Sequence, residues 1–203
     1  MDHLIDGYRR FRAEVWPRER ERFATLAREQ RPETLVIACS DSRADPAMVF
    51  GARPGELFVV RNVAGLVPPY QADGGRHGVS AALEFGVRVL GVRQIVVLGH
   101  AQCGGIQALL EGAPEKAQDF VEAWMSIAAP ALERGAEDGA PPDQEACEME
   151  VVRLSVDNLL TFPWIKARVE AGSLVIDGAR FDIHTGVLWR MGADRVFAPV
   201  DGR

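Results

Sequence analysis

The chain has 203 residues, 47% hydrophobic and 26% charged, with a formal charge of −6. It is long enough to bury a core and ordinary enough in composition to be globular, while its negative charge argues against nonspecific nucleic-acid binding. No apolar run approaches a membrane span. The Arg- and Glu-rich start, Met1 to Arg31, lacks the apolar centre of a signal peptide, so a cytoplasmic setting with no membrane partner is the expectation. Three cysteines, an odd number, do not read as a disulfide framework; in a reducing compartment thiols are structural, metal-binding or catalytic.

Residues 1–31 read as a helical arm. Tyr8, Phe11 and Val15 form an apolar stripe that Pro17 is expected to interrupt, and Phe23, Leu26 and Ala27 resume helical spacing. Leu35–Cys39 is a first strand. Asp45-Pro46 reads as an N-cap followed by proline in the first turn of a helix. Leu57–Val60 is a second strand ending at Arg61-Asn62, and Leu66–Arg76, with Pro68-Pro69 and Gly74-Gly75, is a loop. Val79, Ala82, Leu83, Gly86, Val89 and Leu90 recur at helical spacing. Ile95–Gly99 is a third strand, and Gly104-Gly105 opens a helix over Ile106–Leu110.

Helices are expected beyond it, broken at Pro141-Pro142. Met149, Val152, Val156, Leu159 and Leu160 then make an apolar stripe. Leu174 to Val200 holds strand-like runs, with Gly178 and Gly186 as turn candidates, and reads as a sheet edge. Strand–helix alternation predicts an α/β fold: a central, mostly parallel sheet flanked by helices, carrying the amino-terminal helical arm as part of a single domain, 1–203.

Three soft ligands stand at strand ends. Cys39 follows Leu35-Val36-Ile37-Ala38, and His100 follows Ile95-Val96-Val97-Leu98-Gly99, with Cys103 three residues on. Apolar, β-branched runs of this kind are buried parallel strands, and ligands bind at the carboxyl ends of such strands. Two thiolates and one imidazole suit zinc and leave a fourth position for water. A local zinc finger needs a close pair at each end. Here Cys39 stands alone, 61 residues before His100, so the set depends on the finished fold, which favours an active site. Asp41 lies two residues past Cys39, on the same face of extended chain, and Arg43 can hold its carboxylate in a forked ion pair that keeps it ionised and off the metal.

Cys147 reads as a free bystander, and His3, His77 and His184 as surface or structural. A thiol phosphatase would need arginine six residues after its cysteine; Asp45 stands there. A zinc-holding binding domain without catalysis remains a rival, as does hydrolysis of carbonyl sulfide or carbon disulfide at the same centre.

With these residues in hand, the chain resembles the β-class carbonic anhydrases. Cys39-Ser40-Asp41-Ser42-Arg43 matches the family's first signature. Its second is matched by Glu84-Phe85 together with Gly99-His100-Ala101-Gln102-Cys103-Gly104-Gly105. Pro54-Gly55-Glu56, Val60-Arg61-Asn62-Val63-Ala64 and Pro68-Pro69-Tyr70 also match, so the likeness is dense from Gln30 to Leu110 and loose beyond.

The resemblance implies zinc on Cys39, His100 and Cys103. It implies an Asp41–Arg43 catalytic dyad that orients zinc-bound hydroxide, and reversible hydration of carbon dioxide to bicarbonate and a proton. It implies that Gln30, with the Gly104 N–H, receives the substrate oxygen, and that Phe58 and Val63 form an apolar wall. Phe85 replaces a family tyrosine and lies off its helix's main stripe, facing either a partner subunit or its own chain. The Gln30 and Phe85 positions come from the neighbouring protomer in such enzymes, which implies a homodimer or tetramer. Val36 and Phe181 stand where one subgroup places the tryptophan and tyrosine of a regulatory bicarbonate pocket, with Arg61 kept, so the open form without that pocket is expected. Val89 occupies the position of a shuttle histidine, which leaves His77 as the candidate for proton exit.

Overall fold

A computed structural model describes residues 1–136 and 140–200. The arm is helical, as α1 (Asp2–Arg10) and α2 (Trp16–Leu26). Pro17 does not break it. The ladder widens into a π-helical turn over Phe11–Val15, and Pro17 falls in the first turn of α2, where a missing N–H goes unnoticed. Neither helix fully buries a residue; of the expected stripe Tyr8 and Val15 are exposed, and Phe11 is half-buried against Trp16 and Phe23 of the same arm. Ion pairs tether α2 to the segment before the second strand: Arg22 to Glu56 and Arg53 to Glu19, both at 3.0 Å.

Then come β1 (Thr34–Cys39), α3 (Pro46–Val49), β2 (Leu57–Asn62), α4 (Gly78–Glu84), β3 (Gln94–His100) and α5 (Gly104–Glu111). Asp45 caps α3 as read, Oδ1 accepting from the Ala47 and Met48 N–H groups. Short helices α6 (Ala123–Met125) and α7 (Ala129–Arg134) lead to α8 (Gln144–Leu159), α9 (Pro163–Glu170), β4 (Val175–Phe181), β5 (Leu188–Met191) and β6 (Phe197–Pro199). Pro141-Pro142 do separate α7 from α8.

One sheet holds the strands in the order β2-β1-β3-β4-β5-β6. The first four are parallel and the last two antiparallel, which makes the predicted sheet edge. Side chains alternate across the pleat. Leu35, Ile37, Ile95 and Val97 face the main core with Leu83, Val152, Val156 and Leu159 of the helices, while Val36, Ala38, Val96 and Leu98 line the opposite face.

Three expectations change in detail. A second π-helical turn, Phe85–Leu90, shifts the phase of the helix, so Val87 is buried and Val89 is exposed. Gly178 lies within β4 rather than in a turn; a Cβ there would sit 2.9 Å from Val152. Leu160 caps the end of α8 and is exposed, while Val152, Val156 and Leu159 are buried. The helix α9 was not foreseen from the sequence. Among the described residues no helix is long and apolar enough to cross a membrane.

Candidate metal centre

The chain runs from β1 to β2 on one side and returns to β3 on the other, so the strand order reverses between β1 and β3. At such a switch point the loops part and leave a crevice beyond the carboxyl ends of the strands. Ala38 pairs with Leu98, so Cys39 and His100 end neighbouring strands. Cys103 follows as the N-cap of α5.

The two sulfurs are 3.9 Å apart, and one donor atom from each of Cys39, His100 and Cys103 lies within 4.8 Å of the others. Ligands 2.3 Å from zinc at the corners of a tetrahedron are about 3.8 Å apart, so the sulfur pair matches one edge of a zinc site. His100 Nδ1 is 2.8 Å from the Ala101 carbonyl. A carbonyl only accepts, so the proton is on Nδ1 and Nε2 presents its lone pair. That Nε2 is buried and has no hydrogen-bond partner among the described residues, an arrangement that costs free energy unless a Lewis acid meets it. The donor set and its spacing fit zinc.

The thiols polarise each other. Their hydrogen bond lowers Cys39, against burial and with help from His100, and raises Cys103, with burial adding to the rise. Two sulfurs this close ionise together only with a cation between them. Burial pushes His100 down, but the negative charge of the neighbouring Cys39 thiolate and Asp41 carboxylate and the Ala101 carbonyl outweigh it, and the net shift is upward.

Asp41 sits at the rim. Its Oδ1 accepts from the Arg43 N–H at 2.9 Å and from Nε at 3.0 Å, and its Oδ2 accepts from Nη2 at 2.7 Å. Arg43 thereby holds the carboxyl well below the usual carboxylate range, though partial burial works the other way. Oδ2 lies 4.0 Å from His100 Nε2.

The sequence reading passed over several partners. Arg61 donates to the Cys39 carbonyl at 2.9 Å, the Asp41 carbonyl at 2.6 Å and Asp45 Oδ2 at 2.9 Å, pinning the 39–45 loop. Arg43 Nη2 also donates to the Gln102 carbonyl at 3.0 Å. Buried Glu148 accepts from the Cys103 N–H at 3.2 Å. Glu148 had a signal: it stands four residues before Val152 on the apolar stripe of α8, an odd place for a carboxylate. Gly105 serves close approach, since a Cβ there would lie 3.0 Å from both Val63 and Ala64; one on Gly104 would meet nothing within 4 Å.

The residues expected to touch substrate fall into two groups. Val63 and Gly104 lie beside the cluster, directly after Asn62, the partner of Cys39 in β2, and after Cys103. Phe58 pairs with Leu35, four residues back from Cys39, or about 13 Å along the strand. It stacks on Phe85 with ring centroids 6.0 Å apart, so Phe85 does contact its own chain while staying exposed. Gln30 is exposed and precedes β1, and five strand steps, about 17 Å, separate Thr34 from Cys39. One chain does not gather these residues into one site. His77 is taken up by Asp73, 2.7 Å from its Nε2.

A family model described as "Carbonic anhydrase" matches residues 34–188. "Beta carbonic anhydrase 3" of Arabidopsis thaliana is 38% identical over 202 residues, which cover 94% of this chain and 77% of that protein. "Beta carbonic anhydrase 6, mitochondrial", from the same plant, is 37% identical over 203 residues, covering 96% and 69%. The β-carbonic anhydrase CcaA superposes with a TM-score of 0.89 at 30% identity, covering 98% of this chain and 99% of its own. A tetrameric β-carbonic anhydrase of Sordaria macrospora gives 0.79 at 25% identity, covering 98% of each chain.

Proposed function

The chain belongs to the β-carbonic anhydrases, zinc enzymes that hydrate carbon dioxide, and on that premise we propose that Cys39, His100 and Cys103 hold the zinc while Asp41 and Arg43 form the catalytic dyad. The observation that carries the assignment is the convergence of two thiols and a partnerless imidazole nitrogen from two strand ends, beside a carboxylate already claimed by an arginine. When bound, zinc supplies acidity to water near neutral pH.

Asp41, kept ionised by Arg43, can only accept a hydrogen bond. It takes one from the attacking water and so turns an oxygen lone pair toward the carbon of carbon dioxide. Because Arg43 occupies both carboxylate oxygens, Asp41 stays off the metal, which is the open form. Arg61 fixes the loop on which Asp41 stands. Val63 offers an apolar wall to an uncharged linear substrate, and the Gly104 N–H, at the start of α5, faces the oxygen that gains charge. A new C–O bond forms, one C=O π pair moves to that oxygen, and the water's proton leaves to buffer; His77 is the candidate relay.

Gln30, Phe85 and the Phe58 that stacks on it complete the site from a second copy. The separation of about 17 Å along β1 supports this, as does an arm whose two α-helices bury no residue fully in their own chain and leave Tyr8 and Val15 exposed. A homodimer or tetramer, cytoplasmic, is the proposed working form. Metal analysis paired with oxygen-isotope exchange between carbon dioxide and water tests the function. One zinc per chain and exchange abolished by chelation are expected; full exchange after exhaustive chelation refutes it.

A further inference from the structure

Behind the ligand cluster lies a buried ion pair that the reaction does not use. Glu148 and Arg180 are 3% and 4% exposed. Glu148 Oε2 accepts from Arg180 Nε at 2.8 Å, while its Oε1 accepts from the Cys103 N–H at 3.2 Å. Arg180 Nη1 reaches Glu145 at 3.2 Å but out of hydrogen-bond alignment.

The sheet sets this up. Arg180 pairs with Gly99 across β3 and β4. Helix α8 packs closely there because Gly99 and Gly178 have no side chains; a Cβ on either would lie 2.8 or 2.9 Å from a methyl of Val152. One turn before Val152, Glu148 is brought beneath the turn that carries Cys103.

The Cys103 N–H and the Gln102 carbonyl belong to one peptide unit. Arg43 Nη2 holds the carbonyl at 3.0 Å, and Glu148 holds the N–H. This peptide follows Gln102, a left-handed residue with φ of 56°, a conformation that persists only when its surroundings restrain it. Stability alone explains the ion pair poorly, because apolar residues of similar volume usually serve as well.

We propose that Glu148, backed by Arg180, is a positioning residue: it clamps the Gln102–Cys103 peptide against Arg43 and so aims the Cys103 sulfur at the metal. The proposal rests on Cys103 being a zinc ligand.

The test uses the zinc-loaded full chain. Zinc transfer to a chelator is timed for the wild type, Glu148→Gln and the double variant Glu148→Met/Arg180→Met, and melting is measured on each metal-free form. A Gln carbonyl serves one of the two donors and its amide confronts the other; the Met pair fills the space but accepts nothing. Zinc release 10- to 100-fold faster in the variants is expected, with the metal-free double variant melting near the wild type. In cobalt-substituted protein the thiolate-to-cobalt absorption of the variants should shift. Hydrogen exchange at the wild-type Cys103 amide should be slow with and without zinc.

Release within twofold of wild type in whichever variant folds overturns the proposal, as does rapid exchange of that amide in the zinc-loaded wild type. A wild type that takes up no zinc instead sinks the metal assignment, and the clamp with it.

Discussion

Gly99 is where the packing of α8 meets the chemistry of the site, and Gly99→Ala probes both. Its φ is not in the left-handed region, so alanine adopts the backbone without strain and even gains slightly from a less flexible unfolded chain. What opposes it is steric. The new Cβ would lie 2.8 Å from Val152 Cγ2, about 1 Å inside an ordinary carbon–carbon contact. Val152 is itself buried in the main core and has little room to yield.

Overpacking of this kind costs about 1–3 kcal/mol. If α8 moves outward by that ångström, the 3.2 Å bond from Cys103 to Glu148 stretches past hydrogen-bonding range. Urea denaturation of the metal-free protein should therefore show a loss of that size, and zinc release should quicken. Adding Val152→Ala should restore part of the stability, with a favourable coupling on the order of 1 kcal/mol or more. A Gly99→Ala protein with wild-type stability and wild-type zinc release would refute the packing argument.

Asp41→Asn should retain one zinc by metal analysis and lose activity about a hundredfold or more in isotope exchange, because the amide offers the water a donor as readily as an acceptor. Mixing Gln30→Ala with Asp41→Asn subunits should recover activity. Random pairing makes half the dimers hybrid, each with one intact site of two, so about a quarter of wild-type turnover returns; no recovery after unfolding and refolding together would contradict a site shared between copies. Activity should climb from pH 7 to 9, since two thiolates weaken the pull of zinc on water protons relative to three imidazoles. Asp41 adds no limb to that profile: its pKa is lowered by Arg43, so it is ionised throughout. Cys147, fully buried and pushed up to about 11 by burial, Glu148 and Glu150, is about one part in a thousand thiolate at pH 8 and should resist alkylation, while chelation should make two other thiols reactive by mass spectrometry.

The strands, the parallel sheet and the trio of candidate metal ligands were legible in the chain because each leaves a local mark. A buried parallel strand is a short unbroken apolar run, and a ligand placed directly after such a run lands at the carboxyl edge. Asp45-Pro46 was legible for the same reason, since capping is settled within four residues. The π-helical turns were not, because neither Phe11–Val15 nor Phe85–Leu90 differs in composition from an ordinary helix, yet each shifts which side chains face inward. Val87 and Val89 exchanged places on that account.

The partners of the site were decided by pairs of residues that no spacing rule connects. Arg61 grips the loop of Cys39 because β2 lies beside β1, and Glu148 reaches Cys103 because two glycines let a helix settle on the sheet. The split of the expected substrate residues into two groups also came from register: Phe58 stands opposite Leu35, not Cys39. Ligand identity is a property of side-chain chemistry and is written residue by residue. Ligand aim depends on distances between segments far apart in the chain, and those exist only after the core has packed.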